Sequence, residues 1–135
     1  TRQQILEAAS VARVDRFIGD LSNGFDTEVG DNGRFLSAGQ RQRVALARAI
    51  VADPKVLILD EATSQMDGNT ESLIHDSLKE FIRNRTTFVV THRQSSLRLV
   101  ERVIVMESGR IVHDGPVDKA YDVSEEFKFL FANSA

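Results

Sequence analysis

The sequence contains no cysteine. Disulfide staples and thiolate metal sites are therefore excluded, and a reducing compartment is compatible with the chain. It has no apolar run of the roughly 18 to 20 residues that a membrane-spanning helix needs, and no signal-peptide pattern at its start. The chain itself is expected to be soluble. It has no excess of positive charge: the net charge is −3, so no overall basic field draws it to nucleic acid. Internal repeats and low-complexity stretches are absent. A phosphate loop of the Gly-x-x-x-x-Gly-Lys-Ser/Thr kind is missing too. The four lysines are Lys55, Lys79, Lys119 and Lys128, and none follows a glycine. Nothing in the chain wraps a β-phosphate in the P-loop manner.

What is present is enough for a folded core. The chain has 135 residues, 41% apolar and 27% charged, which is a globular balance. It starts at Thr1, without an initiator Met, and enters helix-like sequence at once. It is expected to be a segment of something longer.

Residues 1–22 read as helix in two pieces. Ile5, Ala8, Ala9 and Ala12 recur at helical spacing, and Asp15 is placed to cap a second piece carrying Phe17, Ile18 and Leu21. Asn23-Gly24 is a turn signal, and residues 25–33 are loop-like. Next comes Leu36-Ser37-Ala38-Gly39-Gln40, a small-residue loop running into a helix. Ser37 is a suitable N-cap, because its hydroxyl accepts from an orphan amide two or three residues on. Ala38 and Gly39 leave the first-turn amides uncovered, and the helix dipole makes that end partly positive. Such an end can hold an anion such as phosphate. Taken alone, the stretch is also simply a capped helix. Val44, Ala47 and Val51 form the expected apolar stripe, with Leu46 and Ile50 beside it. Asp53-Pro54 ends the helix, since the residue before proline avoids the α region.

Val56-Leu57-Ile58-Leu59 is a continuous branched apolar run, expected as a strand buried on both faces in a parallel sheet. The next helix is expected at residues 70–83, with Ile74, Leu78, Phe81 and Ile82 facing the core. A second buried strand is expected at 86–91, a short helix near 95–100 and a third strand at 103–106. A tight turn at Ser108-Gly109 leads to a hairpin partner at 110–113, and a terminal helix at 123–131 packs back through Phe127, Leu130 and Phe131. Strands alternating with helices predict an α/β fold with parallel strands.

Asp60-Glu61 directly follows the apolar strand, at the carboxyl end where open α/β sheets bind ligands. In an extended chain the two acids face different ways. One can face a hydrated Mg²⁺, which prefers carboxylate and water oxygens; the other can orient an attacking water. They can also merely cap the next element. His92 ends the second strand at the equivalent edge. His75 is expected on the solvated side of its helix, and His113 on the last strand; both read as structural. Asp67 sits between strand and helix, where an acid is stabilising in any case. Arg41, Arg43 and Arg48 read as a solvated helix face or as partners of acids. No aromatics interleave with them as nucleic-acid binding would require.

In fixed order, these pieces resemble the second half of an ABC transporter ATPase domain. Leu36-Ser37-Ala38-Gly39-Gln40 resembles the signature motif, and Val56-Leu57-Ile58-Leu59-Asp60-Glu61 the Walker B strand with its catalytic acid. Ser64-Gln65-Met66-Asp67 resembles the D-loop and Thr91-His92 the switch histidine. Gly24-Phe25-Asp26-Thr27-Glu28-Val29-Gly30 is similar to the loop before the signature in multidrug, lipid or peptide exporters. The likeness runs along nearly the whole chain and is weakest after Asp122.

The resemblance implies a P-loop NTPase-like parallel sheet, represented by its C-terminal half. The helical subdomain would occupy residues 1–52 and the core residues 53–135. It implies ATP and Mg²⁺ as cofactors, with Asp60 positioning the ion through water. Glu61 would be the general base or water-orienting group, and His92 would sense the γ-phosphate and hold Glu61 in place. Ser37, Ala38, Gly39 and Gln40 would meet the γ-phosphate of ATP held by a second ABC ATPase domain, identical or not, and Asp67 would contact that partner. It also implies a transmembrane domain on the same parent chain, a place at the cytoplasmic face of a membrane, and no nucleic-acid partner. Ala38 stands where the signature usually has glycine, and its methyl narrows the approach to phosphate. An ATPase head of the chromosome-structure or DNA-repair type and a non-catalytic regulatory module are the alternatives. The exporter-like loop and the close signature-to-Walker B spacing argue against the first, and Glu61 with His92 against the second.

Overall fold

Helix caps and breakers, read in order, account for most element boundaries in the computed structural model, which describes residues 1–132. Helix α1 (Arg2–Val11) starts in a capping box: Thr1 Oγ1 accepts from the Gln4 amide, and the Gln4 side chain turns back onto the N-cap. Helix α2 (Asp15–Ile18) is a single turn. Asp15 does not cap it; Val14 holds the cap position with helical backbone and no side-chain bond. The turn is set by the left-handed Arg13 before it rather than by a carboxylate. Two 3-10 turns follow, Gly24–Asp26 and Asp31–Gly33. Helix α3 (Ala38–Val51) stops before a left-handed Asp53 at the Asp53-Pro54 break.

Strand β1 (Val56–Asp60) and strand β2 (Thr86–Val90) form a two-stranded parallel sheet. Helix α4 (Gly68–Ile82) lies between them in the chain. Leu57 and Leu59 are buried, but Val56 is 54% and Ile58 66% exposed. The expectation of a strand buried on both faces is thus corrected. Alternation puts Val56 and Ile58 on one face, and no described element covers it.

The chain divides into two units, Thr1–Phe88 and Val89–Ala135. In the first, α1 packs on α3. Its buried apolar residues include Ala8, Ala9, Ala12, Phe17, Leu46, Ile50, Ile74 and Leu78. Leu46 and Ile50 are thus the core residues of α3. Val44 and Ala47 are half-buried and Val51 is exposed, because α1 meets α3 on the Leu46 side. Ile5 of α1 is likewise exposed. Ile74 and Leu78 are fully buried, which is worth about 1.5–3 kcal/mol each.

The second unit has its own core. After a 3-10 segment (Gln94–Leu99), β3 (Arg102–Glu107) and β4 (Arg110–Pro116) pair antiparallel. Ser108 and Gly109 both have positive φ, as a two-residue type I′ turn requires. A bulge between Val105 and Met106 shifts the register. Helix α5 (Val117–Val123), absent from the sequence expectations, and helix α6 (Glu125–Ala132) close the unit. Ala120, Phe127 and Phe131 form the buried cluster, with Leu97, Val103, Val105, Val117 and Tyr121 against it. Leu130, expected to pack inward, is 43% exposed. Phe127 and Phe131 are four apart and share a helix face, and Leu130 lies beside that face.

Candidate functional site

The start of α3 is built as its residue types require. Ser37 Oγ accepts from the Gln40 amide at 3.2 Å, and Gln40 Oε1 accepts from the Ser37 amide at 2.8 Å. This reciprocal capping box satisfies one orphan donor of the first turn and the cap's own amide. The Arg41 guanidinium donates to the Leu36 carbonyl at 2.5 Å and fixes the loop entering the helix. Ala38 is the first helical residue, so its methyl group meets no left-handed requirement. Gly39 carries a different constraint. A Cβ there would lie 2.8 Å from the Gln65 carbonyl oxygen, so the helix start and the loop after β1 approach too closely for a side chain.

That approach creates a cavity of about 310 Å³, lined by Ser37, Ala38 and Gly39 from one side and by Gln65, Met66, Asp67 and Thr70 from the other. Arg43 also lines it. Asp67 is the N-cap of α4: its Oδ1 accepts from the Thr70 amide at 2.9 Å. The backbone hydrogen bond from Thr70, chiefly, holds the Asp67 carboxyl below its ordinary value.

Arg43 is half-buried rather than solvated, and of the two expectations for it the one that sets it beside acids is the nearer, since Asp67 and Asp15 act on it. Its guanidinium stacks 4.5 Å over the Phe17 ring and donates to the Arg13 carbonyl at 3.1 Å. Partial burial lowers its pKa, and the nearby Asp67 and Asp15 oppose that shift. The flat guanidinium allows this, since it can stack on a ring and still donate in its plane. Arg41 and Arg48 are both exposed, as a solvated helix face requires, and Arg41 also holds the Leu36 carbonyl.

Asp60 is the last residue of β1, exposed at the strand's carboxyl end. Glu61 leaves the strand with φ +46°, in the left-handed region. Pleat alternation therefore does not reach Glu61: extended geometry ends at Asp60, and the turn sets the direction of Glu61. A left-handed glutamate costs about 1–3 kcal/mol and persists only where its surroundings determine it. Here the Glu61 carbonyl accepts from the Ser64 amide at 3.0 Å and from Gln42 Nε2 at 3.1 Å.

The loop between Glu61 and α4 rests on a buried polar group that the sequence reading missed. Thr63 Oγ1 donates to Glu71 Oε1 at 2.9 Å, and His75 Nε2 lies 3.4 Å from the same hydroxyl and 4.0 Å from that carboxylate oxygen. His75 is 1% exposed, which corrects its assignment to the solvated side of α4. The signal was available. Residues 71, 74, 75 and 78 share one helical face, and burial of Ile74 and Leu78 takes Glu71 and His75 inward with them. They are tolerated there because each is hydrogen-bonded.

His92 belongs to the second unit, where it follows β2 and is exposed. Thr91 Oγ1 accepts from the Arg93 amide at 3.0 Å, a local turn that brackets His92. His113 sits in β4, its Nε2 3.1 Å from the Pro116 carbonyl. Among the described residues, no group of three His, Cys, Asp or Glu side chains could hold a metal ion.

The first unit thus brings Ser37, Ala38, Gly39 and Asp67 to one cavity and ties Glu61 to α3. A family model described as ABC transporter matches residues 1–64, which include the α3 start, Asp60 and Glu61. The chain is 44% identical over 131 residues to the ATP-dependent lipid A-core flippase of Legionella pneumophila (strain Lens), covering 97% of this chain and 22% of that protein. It is 46% identical over 112 residues to ABC transporter B family member 13 of Arabidopsis thaliana, covering 83% of this chain and 9% of that protein. A solved structure of a bacterial Atm1-family ABC exporter with ATP bound superposes with a TM-score of 0.90 at 34% identity, covering all of this chain and 24% of that one. The chain therefore spans about a fifth of the length of the flippases it matches.

Proposed function

We propose that this chain, a member of the ABC transporter family, is the C-terminal half of an exporter-type ATP-binding domain and contributes to two different ATP sites of a head-to-tail dimer. In one site, the α3 start offers its first-turn amides and the Ser37 hydroxyl to the γ-phosphate of ATP held by a second ATPase domain, with Asp67 contacting that domain. In the other, Glu61 orients or deprotonates the attacking water, Asp60 holds Mg²⁺ through water, and His92 senses the γ-phosphate. Phosphoryl transfer fits this division, because it depends on positioning and electrostatic stabilisation supplied from several sides.

The observation that carries the reading is the cavity at the capped start of α3, closed on its far side by Gln65, Met66 and Asp67. The first-turn amides that the Ser37 cap does not take, at the positive end of a fourteen-residue helix, suit an anion. Asp60 fits as one carboxylate ligand of Mg²⁺, an ion that ordinarily takes its other oxygens from water and phosphates. The bound ion would neutralise charge on the transferred phosphoryl group. The chain's own part is to hold Asp60 at a strand end and Glu61 in a constrained turn. No described helix is long and apolar enough to cross a membrane, so export would depend on a membrane domain elsewhere in the parent protein.

Substituting Glu61→Gln in the full-length protein tests the reading. Turnover is expected to fall by about 10² to 10⁴, the range for losing a general base, while an ATP-bound dimer accumulates. Turnover at the unaltered rate would remove Glu61 from this role. The 135-residue segment alone, which has no phosphate loop, is expected to bind MgATP poorly and not to hydrolyse it. Robust hydrolysis by the segment would refute that. A long heptad run immediately upstream of Thr1 would instead favour a chromosome-structure or DNA-repair ATPase head.

A further inference from the structure

Gln42 lies one turn into α3, and its single amide joins that helix to the loop carrying Glu61. Its Nε2 donates to the Glu61 carbonyl at 3.1 Å and to Ser64 Oγ at 3.0 Å, and its Oε1 accepts from the Gln65 amide at 3.0 Å. The orientation of the amide is forced. A backbone carbonyl only accepts and a backbone amide only donates, so nitrogen must face Glu61 and oxygen must face Gln65. Both N–H groups and the oxygen are engaged, which no other side chain of this length can reproduce. Glu lacks the donors and Met lacks everything polar.

Three features depend on this clip. The Glu61 backbone is left-handed, and Gln42 donates to its carbonyl beside the Ser64 amide. The Gln65 amide is held from the same side chain, one residue before Met66 and two before Asp67, both of which line the cavity. Gly39, three residues before Gln42 on the adjacent turn, lets the helix sit against the Gln65 carbonyl, so the fastened segments also touch. Helix start and acid loop are therefore fastened to each other by one side chain.

We infer that Gln42 is a positioning residue that couples the two ATP sites to which this chain contributes. The inference rests on the function proposed above. When ATP in the site facing α3 draws on the helix start, the displacement passes through the Gln42 amide to Glu61 and resets its aim in the other site. Without the amide, α3 and Glu61 respond to separate ligands.

The test measures initial ATP hydrolysis rates against MgATP concentration for the full-length protein, unaltered and as Gln42→Met, which keeps length, volume and helix propensity but has no strong donor or acceptor. The unaltered protein is expected to respond sigmoidally, with a Hill coefficient above 1. Gln42→Met is expected to respond hyperbolically, with turnover about tenfold lower, within the range of ordinary coupling between sites. A purely structural role would lower the active fraction and leave the Hill coefficient unchanged. That result, or a hyperbolic response of the unaltered protein, would overturn the inference. If Gln42→Met does not fold, Gln42→Glu serves in its place. Its carboxylate still accepts from the Gln65 amide but opposes the Glu61 carbonyl, and the same loss of cooperativity is expected. Glu61→Gln runs beside them. If it turns over at the unaltered rate, the function proposed above fails; if it is inactive while Gln42→Met keeps its cooperativity, only the coupling role fails.

Discussion

Replacing Thr63 by Val removes one hydroxyl and keeps the shape of the side chain, so it probes the buried contacts that this hydroxyl makes with Glu71 and His75. Thr63 is buried, and its Oγ1 donates to Glu71 Oε1 at 2.9 Å, while the Glu71 side chain is 5% exposed. A hydrogen bond to a charged group contributes about 1.5–3 kcal/mol, and the valine methyl returns little because the surrounding groups are polar. Thr63→Val is therefore expected to destabilise the complete ATP-binding domain by about 1.5–3 kcal/mol. For a domain of 150–250 residues each kcal/mol moves the midpoint by roughly 2–4 °C, so the melting temperature should fall by about 3–12 °C. The assay is thermal unfolding of that domain, followed by circular dichroism or calorimetry, at neutral pH and without nucleotide. A double-mutant cycle with Glu71→Gln sharpens it. Against a neutral amide the Thr63 hydroxyl should be worth only about 0.5–1.5 kcal/mol, so the two substitutions should be less than additive. A Thr63→Val midpoint within 1 °C of the unaltered domain, or strict additivity with Glu71→Gln, would refute the claim that this hydroxyl stabilises the loop through the carboxylate.

Gly39→Ala sets a gain in helix propensity of about 0.5–1 kcal/mol against overpacking of about 1–3 kcal/mol, because the new methyl would stand 2.8 Å from the Gln65 carbonyl. Stability should fall by about 0–2.5 kcal/mol, and turnover of the full-length protein should fall at least about tenfold, since displacements on the order of 1 Å at a positioned group can cost 10²; unaltered turnover would show that the contact is slack. The Asp67 cap should also show in acid. Its folded-state pKa is lowered, chiefly by the Thr70 backbone hydrogen bond, so its contribution is complete above the unfolded carboxylate value and is lost as pH falls through the lower folded value. Asp67→Asn should therefore lessen the acid-side decline of the melting temperature, and an identical decline in both proteins would count against the cap.

Local chemistry made much of the candidate site legible. Ser37 caps α3 because its hydroxyl lies within reach of the amide three residues on, and neither partner requires anything distant. The Asp53-Pro54 break, the Ser108-Gly109 turn and the apolar run of β1 are local for the same reason. Burial was less legible. Val56 and Ile58 read as core because they are apolar, yet whether a sheet face is covered depends on elements beyond the strand. His75 read as surface because it is polar, although its spacing with Ile74 and Leu78 placed it on the buried face. Helix α5 went unseen because Val117, Ala120 and Tyr121 acquire their meaning only against Phe127 and β3.

Sequence alone determined the motifs, their order and the residue types able to bind phosphate, hold Mg²⁺ and orient water. Each of these rests on the chemistry of neighbouring residues along one chain. Tertiary structure alone decided what those motifs do to one another. Gly39 is hemmed in by the carbonyl of Gln65, 26 positions away, and Gln42 holds Glu61 and Gln65 from another element. Hydrogen bonds and van der Waals contacts act over a few ångströms of space, whatever the separation along the chain, and only the folded backbone brings those atoms within that range.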